Sequence, residues 1–295
     1  MSGSLGFSVN KETKKEDVAK YFSSLGEKIG VASEELEKVA EKVSADVDKE
    51  GVLNKGIREA VNAAKITLKT LRGHLESLKG ISDGSKVVDV ANDQNGVAVN
   101  LDALKIVYKA LKGIVEVAKA QKVEGPSASD VTLGQASIGV DAKSGAKVLT
   151  TGANAGAAVG DKAALIVSSV RGEEMLASIV NSTEDKAKKI TANATAETTP
   201  LEFAVGGTAD NLAKDEAKAG AVSGGIALRS LFKEGKLAAN NGDNDHKAVQ
   251  SAGITAVNKL LGSIEEITKK TVKNVLEKVK EEVDKVREPK ASGKQ

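Results

Sequence analysis

Apolar side chains recur three and four positions apart along much of the chain, which is the spacing of one face of an α-helix. Val18, Phe22, Leu25 and Ile29 form the first such stripe, and the cleanest one runs through three heptads between positions 57 and 78. A stripe of this kind packs against a second helix at a shallow crossing angle. The pattern therefore predicts long helices that associate side by side.

Two further stripes follow the same rule. One covers residues 101–118 and stops at Gly125 and Pro126, and the other keeps its spacing over 249–287 and stops at Pro289. The second predicts a rod of roughly 55 Å, from a rise of about 1.5 Å per residue. A rod of that length needs a long partner, and the simplest partner is the N-terminal helix in antiparallel orientation. Both chain ends would then lie at one pole.

Residues 82–100 have an ambiguous pattern. Val87, Val88 and Val90 fit a short strand, because β-branched residues close together favour extended backbone. They also fit a helix joining the two flanking helical stripes, and this is the interpretation we favour.

The composition changes over residues 125–225, where Ala, Gly, Ser and Thr replace most large apolar residues. Helical spacing persists in three parts of this segment: 135–150, 160–181 and 208–233. Loops are predicted at 152–160 and 191–208. Because loops bury little, we expect them to add little to the core and to be weakly constrained by folding.

These patterns together predict an all-α fold: an elongated helical bundle with long N- and C-terminal helices packed together and an Ala/Gly-rich helical and loop region at the far end. A single helical domain is predicted over 16–288, with disordered tails on either side. The predicted parts are scaffold helices at 16–124 and 226–288, a small-residue distal region at 125–225, and tails at 1–15 and 289–295.

Composition narrows the function. Aromatic residues make up 2% of the chain, so an aromatic-lined ligand pocket is not expected. The 43 basic and 41 acidic side chains alternate along the helices and leave a net charge of +2, whereas a nucleic-acid-binding protein concentrates basic residues on one face. No nucleic-acid partner is predicted. The chain has no cysteine, and no apolar run approaches the roughly 18 residues of a membrane span.

Candidate chemistry is sparse. His74 and His246 are far apart in sequence and predict no metal site. The segment 243–245 (Asp-Asn-Asp) lacks the spacing of a calcium loop and is better explained as a polar turn before the last helix, with Asp245 as its N-cap. Gly160 ends a glycine series but is followed by Asp161, which would repel a phosphate. No cofactor and no catalytic residues are predicted, so the chain is not expected to be an enzyme.

One basic cluster has two interpretations. Lys186, Lys188 and Lys189 lie together in sequence and have the charge needed to contact a sulfated glycan. The same pattern is typical of a solvated helix end, and this is the interpretation we favour. The sequence leaves both open.

Two segments resemble a known family. TKKEDVAKYFSSLGEKI (13–29) and GGIALRSLFKEGKLAANNGDNDHKAVQSAGITAVNKLLGSI (224–264) are similar to the variable large proteins of relapsing-fever spirochaetes, which are related to the Lyme-disease variable surface antigen. The resemblance implies a lipoprotein on the extracellular face of the outer membrane, anchored through an acylated N-terminal cysteine that we expect upstream of Met1. It also implies antigenic variation, with host antibodies as partners.

The resemblance leaves a second role and the oligomeric state open. An adhesin that binds host glycosaminoglycans is the alternative function, with the three lysines named above as its candidate site. The apolar stripes can pair within one chain or between two chains, so a monomer and a homodimer are both expected possibilities.

Overall fold

The computed structural model describes residues 6–45, 52–79, 82–91, 95–153, 155–240 and 243–287. They form nine α-helices, with short 3₁₀ turns, isolated β-bridges and no strand among the described residues, which confirms the predicted all-α class. The helices are α1 (Lys15–Ala45), α2 (Val52–Ser77), α3 (Leu101–Ala120), α4 (Gly160–Ser168), α5 (Gly172–Val180), α6 (Pro200–Val205), α7 (Ala209–Leu212), α8 (Ala219–Leu231) and α9 (Asp243–Arg287).

Helices α1 and α2 form an antiparallel hairpin. Gly26 of α1 lies against Arg72 of α2, and farther along Lys65 of α2 forms an ion pair with Glu37 of α1 at 2.6 Å. The apolar stripes predicted for both helices face each other, and Leu68 and Leu71 have no exposed surface. The three/four spacing therefore predicts correctly that the apolar faces of α1 and α2 pack against each other.

Helices α1 and α9 run parallel, so the predicted antiparallel pairing is wrong. Val9, just before α1, lies against Asn258, and the Tyr21 hydroxyl of α1 donates a hydrogen bond to Glu265 at 2.8 Å, so positions rise together along the N-terminal segment and α9. Helix α2 packs against α9 and, because it is antiparallel to α1, it runs antiparallel to α9. Helix α9 continues from Asn258 to Arg287. That stretch is about 43 Å long at a rise of about 1.5 Å per residue, so the first described residues and the end of α9 lie far apart.

Residues 6–14 pack against the body of the protein, which corrects the prediction of a disordered tail over 1–15 as far as these residues reach. Val9 is buried, and its backbone N–H and C=O both hydrogen-bond to the Asn258 side chain, at 2.7 and 3.0 Å. The Phe7 ring stacks on Tyr21 with centroids 4.7 Å apart. The predicted tail at 289–295 lies outside the described residues.

The helix favoured for 82–100 is wrong for the described residues, 82–91 and 95–100, which are extended or bent. Val90 pairs with Leu237, and Val97 pairs with Lys236, through isolated β-bridges. The extended backbone is stabilised here by pairing with residues 236–237, which precede α9. Because those residues are remote in sequence, local spacing does not predict this pairing.

The small-residue middle segment contains densely packed core. The expectation that its predicted loops add little to the core is wrong for residues 200–207 of the loop predicted at 191–208, where Pro200–Val205 form α6 and all but Glu202 are buried. All 13 residues of α8 are buried, and Val148, Ile166 and Phe203 have no exposed surface. Small residues allow this packing, since a Cβ at Gly225 of α8 would lie 2.4 Å from the Phe203 Cβ of α6. The absence of a side chain brings the two helices into contact.

Candidate functional surface

Three loops of the middle segment share one design. Residues 124–141, 151–158 and 191–199 are mostly exposed, and we call their exposed positions the loop surface; residue 154 lies outside the described residues. Each loop also has a few buried apolar anchors: Leu133 and Ile138 in the first, Ala155 in the second and Ala194 in the third. Exposed positions therefore alternate with single positions that pack into the core.

The loops are held by main-chain hydrogen bonds to one segment, residues 206–219, which we call the strut. The amide N–H of a loop residue donates in four of these bonds: Leu133 to Ala217 (2.9 Å), Gly134 to Asp215 (2.9 Å), Thr151 to Gly207 (3.0 Å) and Ala194 to Asn211 (2.8 Å). Main-chain donors and acceptors are present whatever the side chain, except for the missing N–H of proline. The attachment therefore imposes little restriction on the loop sequence.

The start of the strut requires glycine. Gly206 has a φ of +84°, in the region that residues with a side chain rarely adopt. A Cβ there would lie 2.2 Å from the Leu149 carbonyl oxygen and 2.2 Å from Nη2 of Arg229. Gly206 also accepts a 2.8 Å hydrogen bond from the Ile190 N–H. Close backbone approach thus joins three chain segments beneath the loop surface.

A buried arginine lies at this junction. Arg229 has no exposed surface, and its guanidinium donates hydrogen bonds to the carbonyl oxygens of Ala204 (2.9 Å), Phe203 (3.2 Å) and Thr150 (3.2 Å). Two of these carbonyls end α6, where a positive charge complements the helix dipole. Burial lowers the pKa of Arg229 to about 9, so it stays charged at neutral pH. Arg229 ties α8 to α6 and to the start of the second loop.

The sequence places Arg229 within the family-like segment 224–264 but indicates no role for it. A signal was present, because Arg229 is the only charged residue among the 13 of α8. A lone charge in an otherwise apolar and small-residue helix indicates a buried polar contact, since burying an unpaired charge is expensive.

Asp245 has a different role from the one predicted. Helix α9 begins at Asp243, so 243–245 is helical rather than a turn, and Asp245 is not its N-cap. The buried carboxylate accepts hydrogen bonds from the backbone N–H groups of Val159 (2.8 Å), Gly160 (2.7 Å) and Asn240 (2.6 Å). It therefore caps α4 from another helix, and it occupies the helix N-terminus at which a phosphate would bind.

The three candidate glycan-binding lysines differ in environment. Lys188 and Lys189 are exposed, whereas Lys186 is half-buried and lies 3.8 Å from the carboxylate of Glu202. The adjacent Glu184 forms an ion pair with Lys109 at 2.9 Å. Acidic groups thus accompany the basic cluster, and a glycan site there stays a prediction.

The two histidines lie in separate places. The His74 ring packs against Gly113 of α3, where a Cβ would lie 2.3 Å from it, and His246 Nε2 lies 3.4 Å from the Val90 carbonyl oxygen. Across the described ranges, no three His, Cys, Asp or Glu side chains converge as metal ligands. In the same part of the chain, no helix combines the length and the hydropathy of a membrane span.

The fold and the sequence together define the class. The sequence model of the Borrelia lipoprotein family matches residues 1–283, so the chain belongs to that family. It is 59% identical to variable large protein 25 of Borrelia hermsii over 98% of this chain and 80% of that protein. It is 54% identical to variable large protein 21 of the same species over 100% of this chain and 81% of that protein.

A solved structure shares the fold. The crystal structure of the Lyme disease variable surface antigen VlsE of Borrelia burgdorferi superposes with a TM-score of 0.71, at 25% identity, over 92% of this chain and 96% of that chain. The resemblance to variable large proteins seen in the sequence is therefore confirmed.

Proposed function

We propose that this protein is a non-catalytic outer-surface lipoprotein antigen that mediates immune evasion by antigenic variation. It is held on the extracellular face of the outer membrane through an N-terminal lipid, and host antibodies are its partners. The variable part of the antigen is the loop surface, whose sequence can change without loss of the fold.

The observation that carries the proposal is the main-chain attachment of the loops. Ala194, for example, buries its own small side chain and donates its N–H to Asn211, while residues 191–193 are exposed. Exposed substitutions away from such anchors change the free energy of unfolding by at most about 0.5 kcal/mol. Antibody contacts made by those residues are then replaceable at little cost in stability.

The comparison with VlsE supports the same view. Three quarters of the superposed residues differ in type, and the helical architecture persists. A fold that survives such replacement needs a core fixed by packing and an exterior that tolerates change. Both are present here, in the buried α8 and in the loop surface.

A glycosaminoglycan-binding adhesin is the weaker alternative. Its candidate site rests on Lys186, Lys188 and Lys189, and the first of these is already close to Glu202. The main proposal does not depend on that site.

Surface location is tested by proteolysis of intact source cells, followed by detection of this protein with antiserum. We expect rapid loss of the protein, while a periplasmic marker persists until the outer membrane is opened. Survival of the protein in intact cells, with loss only after permeabilisation, would contradict the proposed location.

Variation is tested with a chimaera in which the exposed residues of 191–199 are exchanged for those of a relative and Ala194 is kept. Antiserum raised against the whole protein should lose much of its binding while the melting temperature stays within a few degrees. The matched control exchanges an equal number of exposed residues on the second half of α9. Equal loss of serum recognition by both chimaeras would argue against the loop surface as the main target.

A further inference from the structure

An apolar groove lies between α1 and α9, and no residue of the loop surface lines it. It has a volume of about 470 Å³, within the range of small-molecule sites. Its wall on α1 is formed by Leu25, Ile29 and Ala32, and its wall on α9 includes Val272 and Leu276. The three α1 residues are buried, whereas the two α9 residues stay half-exposed. The apolar surface is therefore recessed between two helices and left uncovered by the described residues.

The groove follows the parallel helices lengthwise. On α9 its lining extends from Thr268 to Lys280. That stretch spans about 18 Å at a rise of about 1.5 Å per residue. A long, apolar trough of this kind fits an extended hydrocarbon chain, since a chain can contact both helices along its whole length. Each buried methylene then adds to the binding free energy.

The rim of the groove is basic. Its charged residues are Lys28, Lys269, Lys273, Glu277 and Lys280. Two of the four lysines have acidic partners: Lys269 pairs with Glu265, and Lys273 lies 3.6 Å from Glu277. Within the described residues, no ion pair is formed by Lys28 on α1 or by Lys280 on α9. Two exposed positive charges thus border an apolar trough.

We propose that this groove binds the anion of a free long-chain fatty acid. The acyl chain lies against Leu25, Ile29, Val272 and Leu276, and the carboxylate pairs with a rim lysine that has no acidic partner. This ligand satisfies both features of the site, because it joins an apolar chain to one negative charge. The inference concerns a site separate from the loop surface and does not depend on the proposed role as an antigen.

The charge pattern disfavours a second copy of the chain as the occupant. A two-fold contact through the groove would bring two copies of the same rim together, each with four lysines and one glutamate, so the interface would carry an excess of positive charge. Like charges brought together at an interface oppose association. A bilayer surface is disfavoured for a different reason, because the deepest groove residues are recessed between helices, where a single chain can enter and a membrane surface cannot.

The direct test is isothermal titration calorimetry of the full chain with sodium dodecanoate below its micelle concentration. We expect saturable binding at one site, with Kd falling about fourfold for each added methylene from decanoate to dodecanoate while the chain stays within the groove. Dodecyltrimethylammonium, with the same chain and a positive head, should bind at least tenfold more weakly. Equal binding of the two amphiphiles, or no binding of dodecanoate, overturns the proposal.

Matched variants locate the site. Leu276→Lys should abolish dodecanoate binding, whereas Ile66→Lys, at an apolar residue 68% exposed on α2 and outside the groove, should leave Kd unchanged. Lys28→Glu and Lys280→Glu each reverse a positive charge on the rim, and at least one of them should weaken binding about tenfold, with Lys69→Glu on α2 as the control. Thermal melts of each variant establish that it is folded. Equal effects of the groove and control variants overturn the proposal.

Two further measurements separate this ligand from other occupants. Sedimentation equilibrium of the ligand-free protein, with and without Leu276→Lys, reports whether the groove is a dimer interface. Flotation with phosphatidylglycerol vesicles reports whether it docks on a membrane. A dimer dissolved by Leu276→Lys, or vesicle binding that the same change abolishes without any binding of free dodecanoate, overturns the proposal in favour of that occupant.

Discussion

Helix α8 and the loop 191–199 are both rich in small residues and have opposite environments. All 13 residues of α8 are buried, while Ala194 is the one buried residue of the loop. In α8, small side chains bring helices into contact. In the loop, they cover a surface that is held by its backbone. The comparison teaches that small residues mark either tight packing or freedom to vary, and that composition alone does not separate the two.

The largest expected effect comes from removing the charge that α8 carries into the core. Arg229→Ala leaves the carbonyls of Thr150, Phe203 and Ala204 without their donor and opens a cavity, so we expect a loss of about 3–5 kcal/mol in the free energy of unfolding. Urea denaturation measures it. The control is Arg171→Ala, at a side chain 68% exposed. It should change stability by at most about 0.5 kcal/mol. Similar losses in both variants would mean that burial of Arg229 adds nothing.

The residues that follow the second loop are held by a side chain, and that contact can be removed. Asp245→Ala removes the carboxylate that accepts from Val159, Gly160 and Asn240, and we expect a loss of about 1.5–3 kcal/mol. Hydrogen exchange should show the amides of Val159 and Gly160 losing protection. Asp161→Ala, at an exposed position in the first turn of α4, is the control and should leave those amides protected. Unchanged protection in the Asp245 variant would contradict the capping role.

Glycine-to-alanine substitutions compare a tightly packed helix position, in α8, with an open one, in α9. Gly225→Ala in α8 places a Cβ 2.4 Å from the Phe203 Cβ, so α6 and α8 must separate. We expect this to cost about 1–2 kcal/mol after the gain in helix propensity. Gly262→Ala in α9 places its Cβ in open space and should instead stabilise by up to about 1 kcal/mol. Thermal or urea unfolding distinguishes the signs. Stabilisation by both substitutions would show that α8 is loosely packed.

The smallest effect is expected within the loop, where the same substitution is made at two positions that lie two residues apart. Ala194→Asp buries a charge, and we expect a cost of about 1 kcal/mol, limited by local opening of the loop. Ala192→Asp, at an exposed position, should change stability by less than about 0.5 kcal/mol. Binding of a loop-directed antibody should be sensitive to Ala192 even so. Equal stability of the two variants would mean that Ala194 is not an anchor.

The long helices were predictable because their apolar spacing is a local property. The stripes through Leu68, Leu71 and Leu75 and through Val275 and Val279 predict the α2 and α9 faces that the structure buries. Each stripe is visible within a few turns of its own helix, so no knowledge of the partner is needed to find it.

The extended backbone at Val90 and Val97 was not predictable in the same way. Its hydrogen-bonding partners are Leu237 and Lys236, far along the chain. Sequence spacing gives no information about contacts at such a distance.

The functional surface was predicted in part. Loops were expected near 152–160 and 191–208, but their anchors, the strut and Arg229 were not. Loop composition is similar at buried and exposed positions, as Ala192 and Ala194 illustrate, so burial there depends on what the tertiary fold places opposite each residue. The groove was missed because its two walls come from helices at opposite ends of the sequence.

By itself, the sequence determined the helical class, the buried faces of the long helices and the resemblance to a lipoprotein family. Periodicity and local motifs depend only on residues that are close together in the chain. The tertiary structure alone decided that α1 and α9 run parallel, that the small-residue segment is core, and that Arg229 and Asp245 join remote backbone segments. These features depend on which distant surfaces meet. The free energy that selects them comes from packing and from satisfying buried polar groups, which only the assembled chain brings together.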